Sequence, residues 1–253
     1  MTTLAFLLLV SLGALVQTIT GFAMGLIIMG GAALFGLIDL RAAAAVVSLI
    51  SLMNVAVALR RTYRFVEREF FLSIVLGMIP MIIIGVLLLD YWSGSNYELL
   101  KMMLGLVIVS AGVLLFLKPL AYLQRSPRWL NVLVGCASGI MGGLYGAGGA
   151  PTAYHLYRQP LLLQAVRATL LGTFAISTIV RSGFVAVQGH ITTEVLWLTG
   201  LAMPAVVGMT LLGGVLMPRV PELAVRRFAF LLLILLGGSL VVGGLTQMLN
   251  LAV

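Results

Sequence analysis

Long apolar runs alternate with short polar connections along the whole chain of 253 residues. A helix needs about 20 mostly apolar residues to cross the hydrocarbon core of a membrane. Six runs meet this length: the two that start near Arg41 and Arg167, and 70–89, 98–117, 194–216 and 226–249. The pattern therefore predicts an all-α polytopic membrane protein with six clear crossings.

The composition supports this prediction, because 62% of the residues are hydrophobic and only 9% are charged, against about a quarter in soluble proteins. The net charge of +8 comes from Lys and Arg in short loops rather than from a basic face, so no nucleic-acid partner is expected. Cys136 is the only cysteine, which rules out an intrachain disulfide and a cysteine-rich metal site. The expected partners are membrane lipid and a small anionic substrate, with no cofactor, metal or catalytic residue.

Two glycine-bearing breaks, QTITGFAMGL at 17–26 and GGLYGAGGAP at 142–151, each follow an apolar run and precede one of the Arg-led helices. The breaks and the helices are both offset by about 125 residues, close to half the chain. Such internal duplication is common in secondary transporters. We therefore expect two transmembrane repeats, 1–125 and 126–253, that together form one membrane domain.

The segments 3–37 and 129–158 allow two interpretations: one crossing followed by a loop, or a helical hairpin that reaches mid-membrane and returns. Basic loops tend to face the cytoplasm. Three loops are basic: 60–68, 118–128, which includes Lys118, and 219–227, which includes Arg219. All three face the cytoplasm only if 129–158 is a hairpin. Each half then has one hairpin and three crossings, an odd number, so the halves are predicted to be inverted repeats with both termini outside.

The glycine breaks also predict a binding site. Glycine tolerates the backbone conformations that a break requires, and the free N–H groups at the start of a half-helix attract anions. Two breaks that face each other would hold a small anion between them. The expected substrate-binding residues are Gln17, Thr18, Thr20, Gly21, Asn54, Tyr145, Gly146, Gly148, Gly149 and Arg181.

These residues also have structural interpretations. Arg181 lies inside an apolar helix, where it either balances the charge of an anion or reaches the membrane surface; the repeat offset places Asn54 almost opposite it. The polar side chains of the first break either donate to the anion or bond carbonyls that the break frees. Tyr145 either binds substrate or fills space, and the glycines alone are also typical of close helix packing.

The stretches VQTITGFAMGL and GGLYGAGGAP resemble the paired signatures of the TauE/SafE family of sulfite and organosulfonate exporters, and the resemblance covers nearly the whole chain. It implies a secondary transporter that exports sulfite or an organosulfonate such as sulfoacetate across the bacterial inner membrane. The chain departs from the family pattern at Ala23, where glycine is common, and at Ala150, where proline or glycine is common.

Other functions stay open from the sequence. A passive anion channel would use the same breaks and the same arginine as a carrier. An intramembrane serine hydrolase would use Ser138, in CASG at 136–139, with His190 as its base. The carboxylates, among them Asp90 and Glu194, all lie near predicted helix ends, so none is expected to carry protons. A homodimer is an assembly that the sequence allows.

Overall fold

The computed structural model describes residues 2–95, 97–116, 122–216 and 222–251. The first half forms the helices α1 (Thr2–Thr20), α2 (Met24–Phe35), α3 (Leu40–Thr62), α4 (Arg68–Ser95) and α5 (Tyr97–Phe116), with a 3₁₀ turn at Tyr63–Phe65. The second half forms α6 (Arg128–Tyr145), α7 (Gly149–Tyr157), α8 (Leu163–Val187), α9 (Thr193–Leu216) and α10 (Glu222–Leu251). Every regular element in the described residues is helical, which confirms the all-α prediction.

Six helices among the described residues are long and apolar enough to cross a membrane. Their spans are Thr3–Thr20, Leu40–Arg60, Arg68–Ser93, Leu163–Val187, Thr193–Leu216 and Arg227–Gly244. Five of the six predicted crossings are among them. The predicted crossing at 98–117 is not among the six, because the described part of α5 offers only the shorter apolar stretch Leu99–Val113. The sixth span is instead α1, which is long and apolar enough to cross a membrane. Residue 117 lies outside the described residues, as do Lys118 and Arg219 of the predicted basic loops.

The chain turns back on itself at the first glycine break. A Cβ atom added to Gly13 of α1 would lie 3.2 Å from the side chain of Met24, at the start of α2. One added to Gly31, late in α2, would lie 2.5 Å from the side chain of Leu9. Later residues of α2 thus contact earlier residues of α1, so the two helices form a hairpin.

The second break has the same arrangement. The Ser138 hydroxyl oxygen lies 2.6 Å from that of Thr152, and Asn131 Oδ1 lies 2.7 Å from His155 Nε2. These pairs again run in opposite order along α6 and α7. Both uncertain segments of the sequence are therefore helical hairpins rather than single crossings followed by loops.

Left-handed backbone closes both hairpins. In the first break, Gly21 has a φ angle of 86° and Ala23 a φ angle of 88°, and in the second break Gly146 has a φ angle of 64°. A residue with a side chain is disfavoured in this region by roughly 1–2 kcal/mol. The departure at Ala23, where glycine is common in the resembled signature, thus falls on a position whose backbone favours glycine.

Glycines allow the closest contacts between helices. α4 packs on α6 so tightly that a Cβ added to Gly135 would lie 2.1 Å from the carbonyl oxygen of Ile74. In the pair α5 and α10, a Cβ added to Gly105 would lie 3.0 Å from the carbonyl oxygen of Gly237. The helices α3 and α8 pack on each other, and together with the two hairpins they carry most of the buried polar residues.

Candidate functional site

The two glycine breaks touch each other. A Cβ added to Gly25, in the first turn of α2, would lie only 2.6 Å from the carbonyl oxygen of Gly146. The Tyr157 hydroxyl, at the end of the second hairpin, donates a hydrogen bond of 2.7 Å to the Thr20 carbonyl at the end of α1. The breaks therefore lie side by side, as the sequence suggests, but at Gly25 and Gly146 they are in direct contact.

Arg181 lies inside the bundle with only 2% of its surface exposed. Its Nε atom donates a hydrogen bond of 3.0 Å to the Gly143 carbonyl, and Nη1 donates to the Ala44 carbonyl and the Ser48 hydroxyl. Gly143 belongs to the last turn of α6, whose carbonyls have no partners within the helix. The guanidinium thus joins α8 to α3 and to the second break, and it does not reach the membrane surface.

A polar cavity of about 280 Å³ lies against Arg181, and we call it the Arg181 cavity. The ends of α3, α4, α8 and α9 bound it. Its charged and titratable lining residues are Asp39, Arg41, Asp90, Arg181, His190 and Glu194. The volume is ample for a small oxyanion, and two guanidinium groups offer the paired donors that oxyanions bind well.

A buried hydrogen-bond network joins α1, α3 and α9. Gln17 Nε2 donates a bond of 2.9 Å to Asn54 Oδ1, and Asn54 Nδ2 donates to the hydroxyls of Thr210 and Thr18 at 2.7 and 3.3 Å. Gln17 Oε1 is buried and has no hydrogen-bond partner among the described residues. The structure thus brings together three of the predicted site residues, Gln17, Thr18 and Asn54, and adds Thr210 to them.

A second cavity, of about 90 Å³, lies beside this network, and we call it the Arg167 cavity. Its polar lining comes from Thr18, Thr62, Arg167 and Thr210. Arg167 and Arg181 are both on α8 and are 14 positions apart, which corresponds to roughly 21 Å along a helix. The two cavities therefore lie toward opposite ends of α8.

Four other predicted site residues use their polar groups inside the protein. The Thr20 hydroxyl donates to a carbonyl of its own helix, and the Tyr145 hydroxyl donates to the Leu100 carbonyl of α5 at 3.2 Å. The N–H groups of Gly21 and Gly146 donate to carbonyls at the ends of their own helices. In this conformation Thr20 and Tyr145 thus have the structural roles that the sequence left as alternatives.

The remaining predicted glycines, Gly148 and Gly149, border a cavity of only about 10 Å³ together with Thr152 and Ser177. That space is comparable to what one water molecule requires. Phe174 closes it, since a Cβ added to Gly149 would lie 2.2 Å from that ring. This part of the second break is therefore packed too tightly for an oxyanion in the present conformation.

The geometry around Ser138 does not form a serine nucleophile site. Its hydroxyl pairs with Thr152, whereas His155 pairs with Asn131 and His190 lies 3.6 Å from Asp90. A nucleophilic serine needs a base within hydrogen-bond distance. Among the described residues, neither histidine hydrogen-bonds to Ser138, so the structure gives the hydrolase alternative no support.

Sequence reasoning missed several residues around Arg181. Asp90 lies near the end of α4, as expected, but its side chain is only 23% exposed and faces the Arg181 cavity. Gln188 Nε2 donates to Asp90 Oδ2 at 2.7 Å, and Ser48 accepts from Arg181. Ser48 carries a recognisable signal, a polar residue within an apolar helix, whereas Asp90 and Gln188 look in the sequence like ordinary residues at helix ends.

Comparison with known proteins identifies the family of the chain. The family described as Sulfite exporter TauE/SafE matches residues 5–240. The chain belongs to the TauE/SafE family. The Probable sulfite/organosulfonate exporter TauE of Cupriavidus necator is 36% identical to it over 232 residues, which cover 92% of this chain and 91% of that protein. No solved structure matches the chain.

Membership of the TauE/SafE family confirms the resemblance that the two glycine-rich signatures carry. With six apolar helices that can cross a membrane, this TauE/SafE protein is an integral membrane transporter. The family is one of exporters rather than of enzymes. The name of the Cupriavidus necator relative gives both sulfite and organosulfonates as substrates of that protein.

Proposed function

We propose that this TauE/SafE protein is a secondary transporter that carries a small sulfur-containing anion, such as sulfite or sulfoacetate, across a bacterial inner membrane by alternating access. The observation that carries the proposal is Arg181, a buried cation in the wall of a polar cavity in a chain of the sulfite exporter family. A buried guanidinium provides both counter-charge and fixed donors for an oxyanion.

The order of the helices supports an inverted repeat of 1–125 and 126–253. Each part has a hairpin followed by three helices, and the contact of α1 with α9 is matched by the contact of α6 with α4. The pair α3 and α8 is antiparallel, since Ala44 bonds Arg181 whereas Thr62 shares a cavity with Arg167. A two-fold axis in the membrane plane produces such antiparallel pairs.

In the proposed cycle, the anion passes between the Arg181 cavity and the Arg167 cavity when the two breaks separate. The contact between Gly25 and Gly146 closes this route in the present conformation. Gln17, Thr18 and Asn54 lie beside the route and would turn their donors from their present acceptors to the anion. The break glycines would then expose the N–H groups that the present contacts cover.

The test is anion flux in proteoliposomes that contain the purified protein. Sulfite, sulfoacetate, sulfate and chloride are compared, with saturation and acceleration by the same anion on the opposite side as the criteria for a carrier. Saturable counterflow of sulfite or sulfoacetate supports the proposal. Unsaturable chloride flux would instead identify a channel, and flux of none of the four would refute this substrate class.

The matched variants are Arg181→Lys and Arg125→Lys. Arg181→Lys keeps the charge but loses the planar set of donors, so we expect a loss of about tenfold or more in counterflow. Arg125 is exposed, with 51% of its side chain accessible near Glu67, and its variant should transport normally. Equal activity of both variants, at equal folded yield, would remove Arg181 from the anion's path.

A further inference from the structure

The Arg181 cavity contains more negative than positive groups. Its lining carries three carboxylates, of Asp39, Asp90 and Glu194, against the guanidiniums of Arg41 and Arg181. His190 completes the set and is neutral unless it takes up a proton. An anion that enters this cavity therefore meets a site that already has an excess of negative charge.

Asp90 is the carboxylate whose position matters most. It interacts electrostatically with Arg181, and its Oδ2 atom accepts the bond from Gln188. Its Oδ1 atom is buried and has no hydrogen-bond partner among the described residues, and His190 Nδ1 lies 3.6 Å from it. Asp90 thus lines the same cavity as the buried cation and lies beside a histidine whose side chain is 37% exposed.

The neighbouring helices bring further charged and titratable groups toward α4. α3 contributes Asp39 and Arg41 to the cavity, and α9 contributes Glu194. Lys101 of α5 is not among the lining residues. α6 brings Tyr145, whose hydroxyl is already bonded to the Leu100 carbonyl. Within the Arg181 cavity, Asp90 thus has His190 beside it and shares the lining with Arg181.

A bound anion and the Asp90 carboxylate would compete for the same guanidinium. Two negative groups that share one cation disfavour each other, and the one that can bind a proton becomes neutral. A sulfonate group keeps its charge at neutral pH, whereas a carboxyl group can take up a proton. Anion binding therefore favours proton uptake, and by thermodynamic reciprocity proton uptake favours anion binding to the same degree.

We propose that Asp90 takes up one proton when an anion binds beside Arg181, so that a proton travels with each anion. The proton comes from water by way of His190 and returns to water when the anion leaves and Asp90 again faces Arg181 across the cavity as a carboxylate. This inference rests on the proposed function, and it names the coupling ion of the same site. It departs from the expectation, drawn from the sequence, that no carboxylate of the chain carries protons.

The test uses proteoliposomes loaded with sulfoacetate and a pH-sensitive dye, with the membrane potential clamped by potassium and valinomycin. Sulfoacetate stays fully ionised near neutral pH, so any proton movement is due to the protein. In the wild type, sulfoacetate efflux should make the interior alkaline, and the half-saturating concentration should rise with pH by up to tenfold per pH unit. Net efflux of sulfoacetate with no internal pH change and no such rise would overturn this inference alone, whereas the absence of any sulfoacetate flux would overturn the proposed function as well.

Two variants assign the effect to Asp90. Asp90→Asn resembles the protonated acid, so counterflow of sulfoacetate should remain measurable but should no longer depend on pH or move protons. Glu194→Gln removes a carboxylate from the same cavity and should still move protons. Proton movement by Asp90→Asn, or its equal loss in Glu194→Gln, would overturn the assignment. If Asp90→Asn does not fold, the pH dependence of the wild type decides the coupling by itself.

Discussion

The contact between the two glycine breaks makes a sharp prediction for Gly25→Ala. The added Cβ would lie 2.6 Å from the carbonyl oxygen of Gly146 and 3.1 Å from Ala147, so one break must move by roughly 0.8 Å to restore the 3.4 Å at which ordinary contact begins. Overpacking of this kind typically costs about 1–3 kcal/mol. For a chain of this size, that corresponds to a fall in melting temperature of roughly 2–10 °C. The same displacement should also slow transport, because it alters the junction that closes the route.

The assay is thermal unfolding of the purified protein in detergent, together with counterflow in proteoliposomes. Gly200→Ala is the matched control, since Gly200 also lies in a helix but a Cβ there would meet nothing within 4 Å. That control should be neutral or more stable, by up to about 1 kcal/mol, because alanine favours a helix. If Gly25→Ala unfolds and transports like Gly200→Ala, the breaks are not in contact and this account of the closed route fails.

Two further substitutions test the first hairpin and the polar network. Ala23→Gly should raise the free energy of unfolding by about 1 kcal/mol. The gain from relieving the positive φ angle of 88° is larger than the added chain entropy of glycine in the unfolded state. An unchanged or lower melting temperature would contradict the strain. Asn54→Ala should lower the free energy of unfolding by about 1–3 kcal/mol, since it leaves buried Gln17 without its acceptor. It should also reduce counterflow. Chemical denaturation measures the first effect and anion flux the second, and wild-type values for both would exclude Asn54 from the site.

Much of the fold could be predicted because its signals are local. The length of an apolar run decides whether a helix can cross a membrane, and clustered glycines mark where a helix breaks. The hairpins required one further step, the distribution of basic loops. For 98–117 the structure confirms a helix, Tyr97–Phe116, whereas its crossing stays a prediction, since the apolar stretch found within the described residues is Leu99–Val113.

The candidate site was harder to predict because its contacts join distant parts of the chain. Asn54 and Thr210 are 156 positions apart, and Gln188 and Asp90 are 98 apart. No local pattern indicates such pairs. The repeat offset placed Asn54 opposite Arg181, but Asn54 bonds Gln17 and Thr210 whereas Arg181 bonds Ser48. Internal symmetry therefore identified polar positions within the helices but not their partners.

The bonds of Arg181 have a consequence for biosynthesis. All three acceptors, on Ala44, Ser48 and Gly143, precede Arg181 in the chain, so they are translated before α8 emerges from the ribosome. An arginine at the centre of an inserting helix costs about 2.5–3.5 kcal/mol. Arg181 lies toward the end of α8 and so incurs a smaller cost, and acceptors already in the bilayer offset part of it. The helices that are inserted first thus provide hydrogen-bond acceptors for the charged helix that follows. Exchanging the order of the two halves should therefore impair membrane integration, even though the final contacts would be the same.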